Sequence, residues 1–302
     1  MVLLMQLGRG TMPAALDILF RVAGAVRTAA SPWRRPLTVM AALVFLAGVG
    51  VAASMLDIDS ADLSLLPLAV IVLAIVPASM ALGAVSLQLS ARALGRRMRF
   101  PDAIATTAYA AIAELLPLPG GAVVRGAALT RSGASLGSSS AMVTVMAIMT
   151  LCMRILPTGV AMGAWGITVG WALVAACVAG LGGTVGWLFL RTDAGVVAGF
   201  LAVRLASVAL AAAHFMAGFL ALGIALSPLE AVIFTAAGTI GNAATIVPAG
   251  LGITEGIASA LALLMGVSPA AAFLVVAVNR LIGLCVAGIV VLHLAVARRK
   301  RV

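Results

Sequence analysis

The chain reads as long apolar runs separated by short polar or basic stretches. Leu37–Leu56 is the first run, long enough to cross a hydrocarbon core about 30 Å thick as a helix. Leu63–Ser90 is the second, with Pro67 near its start and Pro77 expected to kink it. Asp102–Leu116 is apolar but short for a crossing, and it ends in Pro117, Pro119, Gly120 and Gly121; Val123–Leu129 then resumes as a helix. Ser138–Leu156, Trp165–Leu190 and Ala194–Leu226 are full-length runs. Pro228–Val247 and Leu251–Met265 form a second two-armed segment, broken around Pro248, Gly250 and Gly252, and Ala270–Val296 closes the series. The pattern predicts an all-α polytopic membrane protein.

The two broken segments organise the rest. Proline and glycine at those positions cannot lie in an ordinary helix interior. Half-length arms on either side of such a break predict a re-entrant helical hairpin, with non-helical backbone at depth tolerated where protein buries it or water lines it. Each half of the chain then has three spans plus one hairpin. An odd number of crossings turns the second copy upside down, which gives an inverted-topology repeat with halves at 37–157 and 165–297. The count is six full spans plus two hairpins; eight ordinary spans is the alternative, and both place the two termini on one side.

Charge placement agrees with this plan. Arg9, Arg21, Arg27, Arg34 and Arg35 precede the first span, and Arg92, Arg96, Arg97 and Arg99 follow the second, whereas Asp57, Asp59 and Asp62 lie between them. The positive-inside rule puts the basic stretches in the cytoplasm, together with the 298–301 tail. Segment 1–36 shows no cleavable signal pattern, and Met12 to Val26 is either an amphipathic surface helix or a solvated basic terminus. The composition decides the class: 302 residues, 64% hydrophobic and 9% charged, with mean hydropathy +1.23. The formal charge of +10 belongs to this topology and to anionic lipid surfaces rather than to nucleic acid. Cys152, Cys177 and Cys285 lie in apolar runs without metal or disulfide spacing and read as small core residues.

Candidate chemistry gathers at the breaks. Each resumed arm starts with free backbone N–H groups and the positive end of a helix dipole, a setting that holds phosphate or carboxylate. Arg125 follows the first break, Glu255 lies within one turn of the second, and Arg280 stands midway along the last span; Arg204, His214 and Glu114 add intramembrane polar groups. Such groups face the bundle interior with partners. Gly120, Gly121, Gly250 and Gly252 shape the breaks themselves. Glu255 is expected to approach Arg125 or Arg280, either as an ion pair locking the hairpins or as part of a ligand site. Arg154 is expected to snorkel toward an interface, and the pairs Gly166/Gly170, Gly182/Gly186 and Gly195/Gly199 are expected to serve close helix packing. No metal, nucleotide or nucleophile constellation appears, so no cofactor and no enzymatic chemistry are expected.

The run Pro248-Ala-Gly250-Leu-Gly252-Ile-Thr-Glu255, preceded by Asn242 and followed by Gly266-Val-Ser268 and Arg280, resembles the lysylphosphatidylglycerol synthase transmembrane-region family of flippase-like membrane proteins. Pro117, Gly121, Arg125 and Gly133-Ala-Ser135 resemble its other motif. The chain departs from that motif at Pro119, where arginine is usual, at Ala122, where glutamate is usual, and in lacking an asparagine before the first proline. The resemblance implies movement of an anionic or zwitterionic lipid (phospholipid, aminoacylated lipid or polyprenyl phosphate) between leaflets of a bacterial cytoplasmic membrane. Asn242 joins the substrate-binding candidates on this ground. The alternatives are an accessory subunit that presents a lipid to a separate lipid-modifying enzyme, and a secondary transporter for a small anion.

Overall fold

The computed structural model describes residues 34–56, 64–114, 120–243 and 250–299. Among these the secondary structure is helical: α1 (Arg34–Met55), α2 (Leu65–Ala93), α3 (Phe100–Ala113), α4 (Gly120–Arg131), α5 (Leu136–Ala164), α6 (Thr168–Phe189), α7 (Ala194–Ala221), α8 (Pro228–Ala243), α9 (Ile253–Leu264) and α10 (Pro269–Arg299). Five of them, α2, α5, α6, α7 and α10, are long and apolar enough to cross a membrane. The chain is an integral membrane protein. The segment Met12 to Val26, the acidic stretch Asp57–Asp62, the prolines Pro117, Pro119 and Pro248 and the end of the basic tail lie outside the described residues.

The four helices beside the breaks are short. α3 and α4 have 14 and 12 residues, and α8 and α9 have 16 and 12. At 1.5 Å per residue these are about 18–24 Å long, less than a hydrocarbon core. α3 packs on α4 and α8 on α9. The free ends of the first pair lie together, because the Arg96 guanidinium beside the start of α3 covers Gly133 just past α4. Both pairs lead into the next long helix in the same way. A glycine at positive φ, Gly133 (φ 97) or Gly266 (φ 69), turns the chain. Two residues on, Ser135 accepts from the Ser138 amide at 3.2 Å, and Ser268 accepts from the Ala271 amide at 3.3 Å. These hydroxyls satisfy one free donor at each helix start. α8 begins with a full capping box, with the Ser227 amide donating to Glu230 Oε2 at 2.7 Å and the Glu230 amide to Ser227 Oγ at 3.3 Å.

Two prolines lie inside long helices. Pro77 lies just beyond a π-helical turn, Ile71–Ile75, inside an otherwise continuous α2. A proline cannot donate to the carbonyl four residues back and its ring crowds that carbonyl, and a wide turn there relieves both. Pro157 does not end α5, which runs through it for 29 residues to Ala164. Beside it the Thr158 hydroxyl donates to the Ile233 carbonyl of α8 at 3.1 Å.

The glycine expectation is corrected in part. A Cβ on Gly170 would collide with the backbone of Gly163 and Gly159, so α5 and α6 touch main chain to main chain there. Gly199 meets Leu89 at 3.3 Å, but Gly166, Gly182, Gly186 and Gly195 have nothing within 4 Å of a Cβ. Close packing uses Gly170, as expected, against Gly159 and Gly163, a pair of the same spacing outside the expected set.

Two large apolar clusters, with a small third one of Ile71, Ile75 and Val76 on α2, form the core. One joins Leu87, Leu129, Met142, Met149, Leu188 and Phe200. The other joins Phe219, Phe234, Ala258, Ala271 and Val275. α7 serves both, through Val197–Val203 and then Ala212–Phe219. Ser207 and Ala211 between these stretches, and His214 within the second, face a cavity.

Candidate functional site

The cavity has a volume of ≈ 410 Å³ and is walled by α2, α3, α5, α7, α8, α9 and α10. Its polar groups are Glu114, Arg154, His214, Thr254, Asn279 and Arg280 among others, set against an apolar wall that includes Val76, Met80, Phe215 and Val276. Both short-helix pairs reach it, α3 through Thr107, Ala111 and Glu114 and the other through Thr235, Gly238 and Thr254.

The second pair is held by glycine. Gly250 (φ 63) and Gly252 (φ 80) adopt a left-handed backbone that other residues avoid. A Cβ on Gly250 would run into the Gly241 carbonyl, and one on Gly241 into Thr254 Oγ1. α8 and the start of α9 thus meet backbone to backbone. The Gly252 amide donates to Glu255 Oε2 at 2.8 Å, half of a capping box whose reciprocal half a glycine lacks the side chain to make. Glu255 is wholly buried, with Oε1 3.2 Å from Arg280 Nη1. Arg280 Nη2 donates to Thr254 Oγ1 at 2.9 Å, and that hydroxyl donates to the Gly250 carbonyl at 3.3 Å. One arginine of α10 therefore clamps the first turn of α9. The Nη1–Oε1 contact is not aligned as a hydrogen bond, and both atoms lack another partner among the described residues.

The first pair carries its own ion pair. Gly120 abuts the Ala113 carbonyl and Gly121 abuts Glu114, so the end of α3 and the start of α4 are also in close contact. Arg125 Nη2 lies 3.3 Å from Glu114 Oε1, with both side chains 41% exposed. Of the two partners expected for Glu255, Arg280 is the one that reaches it; Arg125 belongs to Glu114.

Arg154 corrects the sequence reading most. It does not snorkel to an interface but lines the cavity, with Nη1 3.4 Å from Thr239 Oγ1 and its Nε unpartnered among the described residues. No carboxylate lies within ion-pair distance of it among those residues. The apolar run Ser138–Leu156 ends two residues after Arg154 and so puts it near the surface; a helix running on to Ala164 puts it inside. Asn279 was missed as well, although it precedes Arg280 in the sequence; its Nδ2 lies 3.5 Å from the His214 carbonyl. Arg204 stands outside the cavity lining, with Nη2 bonded to Ser86 Oγ across α2 and α7. The side chain of Asn242 lies outside the described residues.

The charge balance of the centre is cationic. Glu255 offsets Arg280 and Glu114 offsets Arg125, which leaves Arg154 as a surplus positive charge facing a partly polar space. An anion entering the cavity gains from this surplus, whereas a cation is repelled. No group of three metal-ligating side chains converges among the described residues. Comparison with family profiles, curated proteins and solved structures finds no match to the chain.

Proposed function

We propose that this protein is a lipid translocase of the flippase-like class, which moves an anionic or zwitterionic headgroup between leaflets of a bacterial cytoplasmic membrane. The observation that carries the reading is Arg154, a surplus cation on the wall of a cavity that both short-helix pairs reach. A headgroup phosphate supplies the missing negative charge, and the lipid's chains stay in the surrounding bilayer.

The architecture we infer is an inverted-topology repeat, α1–α5 against α6–α10, with α3/α4 and α8/α9 as re-entrant hairpins from opposite faces. The packing supports it: α3 contacts α10 as α8 contacts α5, and α1 contacts α10 as α6 contacts α5. Two opposed hairpins around one central site suit alternating access. On this topology Asp59 and Ser268 are extracytoplasmic, while Arg97, Ser132, Arg191 and both termini are cytoplasmic. Cysteine labelling of Ser132→Cys from the outside of intact cells would end the re-entrant reading of the first pair.

Function is tested in liposomes containing purified protein and fluorescently labelled phosphatidylglycerol. Wild type should accelerate leaflet exchange, and Arg154→Gln should slow it roughly 10- to 100-fold, the loss expected for one charge-assisted contact, while still purifying as a single species. No acceleration for any phospholipid or prenyl phosphate would defeat the reading and favour an accessory, lipid-presenting role. Acceleration of a small soluble anion instead would favour a secondary transporter.

A further inference from the structure

A second concave site lies on the other side of the first pair. α3 turns Thr107, Ala111 and Glu114 toward the central cavity, and a different face toward a groove of ≈ 770 Å³. Tyr109 and Ile112 of that face, with Val124 and Ala128 of α4, give the groove an apolar floor. Val124, Ala128 and Arg131 follow one another at helical spacing, so a single stripe of α4 supplies floor and rim together. The rim is basic, with Arg97 and Arg99 from the turn before α3 and Arg131 from the end of α4 against one carboxylate, Asp102.

The rim is held in place by contacts that leave its charges free. Gln88 Nε2 donates to the Met98 carbonyl at 3.0 Å and pins the turn. Arg96 lies over Gly133, which joins that turn to the end of α4. Arg131 makes a 3.4 Å contact from Nε to the Ala127 carbonyl, within its own helix. Arg97, Arg99 and Arg131 have no ion-pair partner among the described residues. Asp102 sits in the first turn of α3, where the helix dipole favours a carboxylate without help from the arginines.

We infer that this groove is a docking site for an anionic glycerophospholipid of the adjacent leaflet, its headgroup on Arg97, Arg99 and Arg131 and the start of its chain on Tyr109, Ile112 and Val124. Basic side chains at a membrane surface are common and by themselves indicate topology alone. Here they converge on an apolar trough, which a soluble anion does not need and an acyl chain does. The excess of three arginines over one carboxylate selects a headgroup with net negative charge over a zwitterionic one. The site depends on the membrane setting and not on translocation, so a protein that moves no lipid would still carry it.

The test is native mass spectrometry of the purified full chain titrated with phosphatidylglycerol or phosphatidylcholine. Wild type should retain phosphatidylglycerol in clear preference. Arg97→Gln/Arg99→Gln/Arg131→Gln should lower that retention on the order of a hundredfold, from about fivefold for each arginine removed near the surface. The corresponding triple lysine variant keeps the charge that orients the protein and should keep most of the binding. Val124→Trp fills the trough with every arginine in place and should also lose the lipid. Equal retention of the two lipids by wild type, or undiminished phosphatidylglycerol on the glutamine variant, would overturn the site. Soluble glycerol phosphate competing as well as the lipid, or Val124→Trp binding normally, would overturn its apolar half.

Discussion

The two short-helix pairs close on themselves through the same backbone contact and then differ in where their charges come from. Gly120 abuts the Ala113 carbonyl in the first, and Gly250 abuts the Gly241 carbonyl in the second. In the second pair the carboxylate is Glu255 of α9 and the cation is Arg280 of α10, so the ion pair ties the pair to a long helix and is buried. In the first, Glu114 and Arg125 come from the pair itself and both are half-exposed. A bond within a pair stiffens it without fixing it to anything else. The second pair is thus anchored electrostatically and the first is not, among the described residues. If the pairs open the cavity in turn, the first should move more readily.

The largest expected effect breaks the anchor. Glu255→Gln preserves shape and can still accept from the Gly252 amide, but it leaves Arg280 facing no negative charge. Stranding a buried cation costs about 3–5 kcal/mol, at the lower end here because the Arg280 side chain retains 13% exposure. Thermal unfolding in detergent should show the loss. The double variant Glu255→Leu/Arg280→Met removes both charges and should recover most of it, since well-packed apolar replacements of buried ion pairs are often neutral. Glu255→Gln with wild-type stability would mean that the pair anchors nothing.

How much of this was legible beforehand follows from what each residue depends on. Apolar run length anticipates the five long helices α2, α5, α6, α7 and α10, because twenty apolar residues in lipid have few alternatives to a helix. Glu255 with Arg280 was among the expected pairings because position in the first turn of α9 is a local property. The depth of Arg154 is not legible in the sequence, because it depends on how far α5 continues past Leu156, and neighbouring helices decide that. The partner of Arg125 was left open for a similar reason. Glu114 is eleven residues away in sequence, and only the packing of α3 on α4 brings the two within 3.3 Å. Arg204 reads as a site residue by its charge, yet Ser86 of α2 takes its guanidinium out of the cavity wall.

A middle-sized effect sharpens the backbone half of the comparison. Gly250→Ala places a Cβ against the Gly241 carbonyl and also forces a left-handed backbone, which costs about 1–2 kcal/mol on its own. Gly120→Ala meets the Ala113 carbonyl from a helix start where φ is not positive, so it should bear overpacking alone, about 1–3 kcal/mol. Gly250→Ala should therefore be the more damaging by roughly the backbone term. Gly182→Ala, with open space around the added methyl, should be neutral or stabilising by up to about 1 kcal/mol. Unfolding midpoints in that order support two pairs packed alike but strained differently; a reversed order of the first two would mean that the left-handed turn relaxes.

The smallest effect on stability belongs to Glu114→Gln. Its ion pair with Arg125 is 41% exposed on both sides, and exposed pairs contribute about 0–1 kcal/mol. Solvent already screens the two charges over a Debye length of about 8 Å at physiological salt. Unfolding should therefore shift little, and raising the salt should shrink even that difference. Lipid handling is where the variant should show itself. Glu114 is the carboxylate on the cavity wall that also carries Arg154 and Arg280, so its loss adds to the cationic surplus. An anionic lipid should then enter more readily and leave more slowly, with phosphatidylglycerol retained more strongly while its exchange between leaflets slows. Phosphatidylcholine, without net charge, should respond less. A Glu114→Gln protein as unstable as Glu255→Gln would show that the first pair is anchored after all, and the contrast between the two halves would fail.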